Sequence, residues 1–331
     1  MLKRTGTFLA YAFIILVVLE VLLRLLGFRV ATRANGLDVQ KTSMYEPDSV
    51  LGWKPVSGSY KIGPFHPTGD SMQLTFNQDL SRVTRETGII AGSEKVVFIG
   101  GSFTLGWAVS DHQNFVWKLQ QKHRQFDMRN LGAGGFGGYQ SLLRLEEELR
   151  KPEKPQHVIY GYIYHHKYRD IAETLWQEQL YYGSSNDLML PFVELDDQGQ
   201  LLRKEVMTYG SFPLSEWLVT ANLSKLLYLR LMRGTKRKYA TEVSRSVIQE
   251  MQALCHKEGI EFYVAILADT DEQASEQVRF FEENGIKYIK CNVQLNSTNT
   301  VKGETHPDES VHTFWAKQIS RNFAELGIVD K

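Results

Sequence analysis

Two short segments, far apart in the chain, carry the side chains that acyl chemistry needs. Phe98-Ile99-Gly100-Gly101-Ser102-Phe103-Thr104-Leu105-Gly106 sets a serine among glycines, directly after an apolar run that begins at Val96. Glycine lets the chain turn sharply there and lets a substrate approach the backbone. A serine so placed stands at the carboxyl end of a strand, where open α/β sheets put their ligands. It would also serve as a helix N-cap, and the local pattern leaves both readings open. The second segment is Glu304-Thr305-His306-Pro307-Asp308-Glu309-Ser310-Val311-His312. Pro307 suits the first turn of a helix, which puts His306 in the loop at the helix start. A serine hydrolase needs a base for the hydroxyl proton and a carboxylate to orient that base. Ser102, His306 and Glu304 supply one of each, and the expectation is a Ser102 hydroxyl within about 4 Å of the His306 ring.

Two further segments bear on the same chemistry. Asn130-Leu131-Gly132-Ala133-Gly134-Gly135-Phe136-Gly137-Gly138-Tyr139 follows a strand and opens a helix, so its backbone N–H groups are placed to hold an anion. Gly132, Gly134 and Gly137 also match the dinucleotide fingerprint spacing, but no acidic residue ends the next strand; Tyr162 to His166 stand there instead. In Tyr160-Gly161-Tyr162-Ile163-Tyr164-His165-His166 the paired histidines lack an acidic or cysteine partner at ligand spacing, and surface histidines are the alternative. Strand alternation expects the His166 ring to point away from the side on which His165 lies. Nothing here calls for a metal or a cofactor.

The elements that must carry these residues follow from apolar periodicity. Residues 96–99, 128–131, 157–163, 261–267 and 286–289 are short apolar runs that predict strands. Residues 111–126, 139–149, 238–257, a stretch ending at Phe281, and 312–326 predict helices. Strands separated by helices indicate βαβ units, hence a mostly parallel sheet with helices on both faces. Residues 31–92 read as a loop-rich lead-in. Residues 171–235 read as an insertion, with a β-hairpin over 191–202 turning at Asp197-Gln198-Gly199 and helical sequence over 214–232.

Ahead of all this, residues 6–28 are almost wholly apolar, and as a helix they are long enough to span a ~30 Å hydrocarbon core. Glu20 and Arg24, four apart, pair on one face or snorkel to the interface. With Lys3 and Arg4 in front, the expectation is an uncleaved anchor over residues 1–30. Its amino end is inside and the catalytic domain is extracytoplasmic. A cleaved signal peptide with a site near Thr32-Arg33-Ala34, or a buried helix, are the other readings. Lys+Arg and Asp+Glu both number 38, so no basic excess marks nucleic acid as a partner. Cys255 and Cys291 match no zinc spacing; one disulfide or two buried thiols stay open.

In their order along the chain, the four segments resemble the four sequence blocks of the SGNH/GDSL hydrolase family, over roughly residues 93–325. Phe98 to Thr104 resembles the Gly-Asp-Ser nucleophile block. Asn130 to Gly137 resembles the second block, Gly161 to His165 the Gly-x-Asn-Asp block. His306-Pro307 with His312 and Ala316 resembles the Asp-x-His-Pro block and last helix. Leu51-Gly52-Trp53 and residues 77–82 are similar to the lead-in of membrane-anchored bacterial members.

The resemblance implies a three-layer α/β/α flavodoxin-like domain over 93–331, preceded by one transmembrane helix. It implies a membrane-anchored serine esterase or acyltransferase, acting on acyl esters of a cell-surface glycan or lipid. Ser102 would be the nucleophile, His306 the base, Glu304 the orienting carboxylate, with Gly135 and His165 in the oxyanion hole. Gly101 stands where the family has aspartate, His165 where it has asparagine, and Glu304 where it has aspartate. The alternative that these departures allow is a catalytically inactive relative that binds glycan or assists assembly.

Overall fold

A computed structural model describes residues 2–30, 44–86, 93–183, 189–208 and 212–325. The candidate cleavage site at Thr32-Arg33-Ala34, the start of the lead-in, and Leu326 lie outside the described residues. Five strands form one sheet: β1 (Glu94–Gly100), β2 (Phe126–Asn130), β3 (His157–Ile163), β4 (Glu261–Ala268) and β5 (Lys287–Lys290). Their order is β2-β1-β3-β4-β5, and every neighbouring pair is parallel. The strand order reverses between β1 and β3, so the loops leaving these two strands diverge and open a crevice at their carboxyl ends.

Helices cover both faces, which is why the strands read as continuous apolar runs. Val96, Val97, Phe98 and Ile99 of β1 are all buried. Helices Phe115–Lys122 and Glu309–Glu325 pack on one face, around Phe98, Ile159 and Trp315. The Trp315 indole N–H, fully buried, donates to the Leu267 carbonyl at 3.1 Å. Helices Gly138–Leu149 and Ala240–Lys257 lie on the other face, and Asp271–Glu283 runs beside the latter through the Arg245–Glu276 ion pair.

The boundaries differ from the periodic reading where side chains cap the backbone. The predicted helix 111–126 is two pieces, a 3-10 turn Asp111–Gln113 and helix Phe115–Lys122, because the Asn114 side chain accepts from the Val116 N–H and starts a new helix. The last helix starts at Glu309, not 312, because the Asp308 carboxylate accepts from the Ser310 and Val311 N–H groups. Pro307 therefore precedes the cap, outside the first turn. The lead-in is two antiparallel hairpins, Tyr45–Asp48 with Gly52–Pro55 and Gly58–Ile62 with Met72–Phe76. Met72, Leu74 and Phe76 alternate inward and, with Leu105 and Ala108, form a second small core. Over 191–202 the expected hairpin is present as Val193–Leu195 paired with Leu201–Arg203. Cys255 and Cys291 are free and buried, and burial pushes the Cys255 thiol up to about 12.

By packing, the chain divides into two compact units: residues 39–172, 189–207 and 239–331, which hold the sheet, and residues 1–38, 173–188 and 208–238. The stretch 171–235, read as one insertion, is shared between them. The smaller unit contains the amino-terminal helix Leu2–Leu25. Its segment Gly6–Leu25, mean hydropathy 2.5 and nowhere buried, is long and apolar enough to cross a membrane; a signal sequence has the same character.

His312 on the last helix makes the larger unit acid-sensitive. It is fully buried, stacked on Phe115 at 5.9 Å and edge-on to Trp315 at 5.0 Å, and neither ring nitrogen has a hydrogen-bond partner. Burial holds it well below the usual histidine range, and nearby Arg82, Lys118 and His306 push the same way. In the unfolded chain it titrates near ~6.5, so below that pH the unfolded state binds a proton that the folded state refuses. Stability is full above about 6.5 and falls as the pH drops. We expect His312→Phe to gain on the wild type in denaturant midpoint as the pH is lowered from neutral through about 5. A gap that does not change with pH would show that His312 does not carry this sensitivity.

Candidate active site

β1 ends at Gly100, and Ser102–Leu105 is a single helical turn closed by Gly106 in the left-handed region (φ 81°). The turn leaves its first N–H groups and its last carbonyls without partners of its own, and buried side chains supply donors for the carbonyls. The Asn130 amide donates to Thr104 O at 2.8 Å and the Asn114 amide to Leu105 O at 3.0 Å. Arg82, wholly buried, donates to Leu105 O at 2.7 Å, Gly106 O at 2.5 Å and Val109 O at 2.7 Å. It also pairs with the Asp111 carboxylate at 3.1 Å. One guanidinium thus holds the whole return of the chain after the serine.

The histidine arrives from the other end of the larger unit's chain. Residues 301–306 form a tight loop in which Val301 N–H donates to His306 O at 2.9 Å and Glu304 N–H to Val301 O at 2.9 Å. Gly303 sits at φ 82°, and a side chain there would run into the Phe65 carbonyl. Two residues apart on this loop, Glu304 and His306 meet: the Glu304 carboxylate is hydrogen-bonded to His306 Nδ1. His306 Nε2 lies 2.9 Å from Ser102 Oγ. A carboxylate only accepts, so Nδ1 carries the proton and Nε2 is left to accept from the serine hydroxyl. Phe103 and Trp107 stand edge-on to the imidazole at 5.4 and 6.5 Å and limit its rotation. Ser102 is 5% exposed, so its hydroxyl works in a largely desolvated setting.

The second glycine segment is held by the lead-in. Gly132 N–H donates to the Asn130 side chain, Gly134 N–H to the Tyr45 hydroxyl at 2.8 Å, and the Trp53 indole to Gly134 O at 2.8 Å. Gly135 adopts φ 80°, which favours glycine. Among the described residues, neither the Gly135 nor the Ser102 N–H donates to a protein group.

The two histidines after β3 fall differently from strand alternation. The chain is already helical at His165 (φ −71°, ψ −16°), so the period of two stops before it. His165 is exposed, its ring edge-on to Tyr168 at 6.4 Å. His166 instead turns inward, against Gly101 at the end of β1. Its Nδ1 lies 2.6 Å from the Tyr160 hydroxyl, and its Nε2 has no hydrogen-bond partner. Burial holds it well below the usual histidine range. Neighbouring Asp170, buried, accepts from Tyr139 N–H, and burial pushes it up to about 7.

This arrangement accounts for Gly101. A Cβ there would lie 2.7 Å from His166 Nε2 and 2.8 Å from the Phe136 carbonyl. The space beside Ser102 that an aspartate would need is filled by His166 and by Arg169, whose Nη1 donates to Phe136 O at 2.8 Å. Gly101→Asp, which would install the residue of the resembled family, should therefore cost about 1–3 kcal/mol by overpacking. A thermal melt of the variant measures this; an unchanged or raised melting temperature would contradict the packing seen around Gly101.

The pattern of residues did not disclose Arg82, Tyr45, Trp53 or His166 as parts of the site. Trp53 and Arg82 do lie in the two lead-in segments that carry the family resemblance, which was the available signal.

A doubly wound parallel sheet with a serine, a histidine and a carboxylate in hydrogen-bond series at its switch point has the geometry of a serine hydrolase centre. Neither a family model nor a curated protein matches the sequence. Solved structures do. The chain is similar to a proposed acylhydrolase from Bacteroides fragilis (15% identity, 72% of this chain and 91% of that one, TM-score 0.41). It is similar to a GDSL-like lipase from Bacteroides thetaiotaomicron (14%, 73% and 93%, TM-score 0.39). It is also similar to a member of the GDSL lipolytic family from Veillonella parvula (13%, 70% and 99%, TM-score 0.37). These likenesses are distant, and the geometry of the site stands independently of them.

Proposed function

We propose that this protein is a membrane-tethered serine ester hydrolase or acyltransferase of the SGNH/GDSL type, with its catalytic domain outside the cytoplasm. The observation that carries the reading is the unbroken hydrogen-bond series Ser102–His306–Glu304 at the carboxyl end of β1. Ser102 Oγ attacks the ester carbonyl while His306 Nε2 takes its proton. Glu304 holds the tautomer and stabilises the imidazolium that forms. The Ser102 and Gly135 N–H groups face the developing oxyanion, and one such donor is worth about 3–4 kcal/mol. His306 returns the proton to the leaving alkoxide, leaving an acyl-serine. Water, activated by His306 in the same way, then releases the acid; a sugar hydroxyl in its place makes the protein a transferase. No step calls for a cofactor. The third donor falls to His165, whose replacement by alanine should cost about 10²–10³ in rate if it serves the oxyanion. The substrate class is an acylated cell-surface glycan or lipid.

The test is release of p-nitrophenol from a short-chain p-nitrophenyl ester by the full-length chain in detergent. Wild type should turn over repeatedly and Ser102→Ala should not. A wild type no faster than Ser102→Ala on a panel of acyl lengths would remove the reading.

A further inference from the structure

We propose that the smaller unit carries a membrane-interfacial platform: the outer face of helix Val219–Arg237, with the turn before it, lies in the headgroup boundary of the bilayer. This rests on the reading of Gly6–Leu25 as a membrane span, and not on the catalytic reading. Ser224, Leu227, Tyr228 and Leu231 recur at helical spacing and form one exposed stripe, with Leu227 60%, Tyr228 49% and Leu231 69% exposed. In the turn ahead of the helix, Leu214 is 61% and Trp217 74% exposed. The opposite side of the helix is already occupied, since Val219, Asn222 and Lys225 are buried. Single exposed leucines need no explanation, but a contiguous apolar surface on one unit does.

The occupant follows from where the helix is fastened. The Glu20 carboxylate, on the apolar N-terminal helix, accepts from Val219 N–H at 3.0 Å, Thr220 N–H at 2.9 Å and the Thr220 hydroxyl at 3.0 Å. Arg24 donates to Glu20 at 2.7 Å and to the Trp217 carbonyl at 2.6 Å. The two charges that interrupt the apolar run are therefore spent on capping this second helix. Glu20 lies five residues before the end of Gly6–Leu25, or ~7–8 Å at the α-helical rise. That is the depth to which interfacial helices sink their apolar face, ~5–10 Å. Trp217 at that level, with Tyr228 and Arg230 exposed on the helix that follows, matches the composition of a bilayer boundary.

The experiment uses the full-length chain in mixed phosphatidylcholine and phosphatidylglycerol vesicles, with a nitroxide on Leu227→Cys or Leu231→Cys. Val17→Cys serves as the reference inside the span and Gln198→Cys, at an exposed hairpin tip, as the reference in water. Buried Cys255 and Cys291 stay out of reach of the label. Collision with oxygen, which concentrates in lipid, is compared with collision with a water-soluble nickel chelate. At 227 and 231 the oxygen-to-nickel ratio should resemble that of Val17→Cys. A ratio like that of Gln198→Cys, with Val17→Cys still in lipid, overturns the platform and leaves the span standing. Shielding from both reagents also overturns it, since protein, whether a second copy or another chain, would then cover the face. A Val17→Cys label in water overturns the span and the platform together.

Discussion

Replacing His306 with glutamine is expected to lower kcat for ester hydrolysis by about 10⁴–10⁶-fold with little change in the fold. The size follows from what the ring does. Its Nε2 is 2.9 Å from Ser102 Oγ, Glu304 fills Nδ1, and among the described residues no other side chain is hydrogen-bonded to that hydroxyl. The small structural cost follows from its position on an exposed loop, where Pro307 and the Val301–His306 backbone bond keep the loop shape. Glu304→Gln should lose about 10⁴, because an amide no longer enforces the tautomer. Combining His306→Gln with Ser102→Ala should be scarcely worse than either alone, since the residues act as a unit. Steady-state kinetics on the four variants checks this; a His306→Gln enzyme within tenfold of wild type would mean that another group is the base.

The second large effect is expected at Arg82, which touches no reacting atom. Arg82→Met keeps the unbranched stem and removes the guanidinium donors to Leu105 O, Gly106 O and Val109 O and the cationic partner of Asp111. Breaking a buried ion pair by removing one partner costs about 3–5 kcal/mol, even though Leu105 O keeps the Asn114 amide and Asp111 keeps the Thr75 N–H; it is read as a fall in denaturant midpoint. The turn that aims Ser102 is closed by these bonds, so turnover should also fall about 10²-fold at temperatures where the variant remains folded. Arg82→Lys should rescue little, because a single ammonium cannot reach carbonyls spread over residues 105 to 109 as a planar fork does. A variant that is destabilised but fully active when folded would confine Arg82 to stability and remove it from positioning.

Much of this site was legible before any coordinates, for physical reasons that differ by element. β1, β3 and β4 announce themselves because burial on both faces demands unbroken apolar runs, and the glycines after β1 mark where the chain must turn under the sheet's edge. Ser102 and His306 stood out because a strand-end serine and a late histidine beside an acid are rarely needed for packing alone. The lead-in was not legible as sheet: Pro47, Gly52, Pro55 and Gly58 fall within its strands, and only Met72-Gln73-Leu74-Thr75-Phe76 keeps a clean alternation. Arg82 was invisible because its partners are backbone carbonyls more than twenty residues away, which leave no trace in residue type. The strand itself ends at Ile163 as its apolar run indicates, but alternation does not continue beyond it, because the chain turns helical at His165 and so brings the His166 ring inward.

The filled space around Gly101 also bears on the departures from the family pattern. The aspartate of the resembled family is absent there, yet the volume beside Ser102 is not empty: His166 and Arg169 occupy it. Glu304, one methylene longer than aspartate, reaches His306 from only two residues away because Gly303 permits the tight loop. Two of the three departures thus come with local compensation, which favours an active enzyme.

The central claim is that Ser102 is a nucleophile activated by His306. The direct measurement is intact-mass analysis of the full-length protein after brief exposure to a fluorophosphonate, followed by peptide mapping. One adduct per chain is expected, on Ser102, absent in Ser102→Ala and strongly slowed in His306→Gln. An unmodified wild type under conditions that label a control serine hydrolase, or an adduct on any other serine, would contradict it.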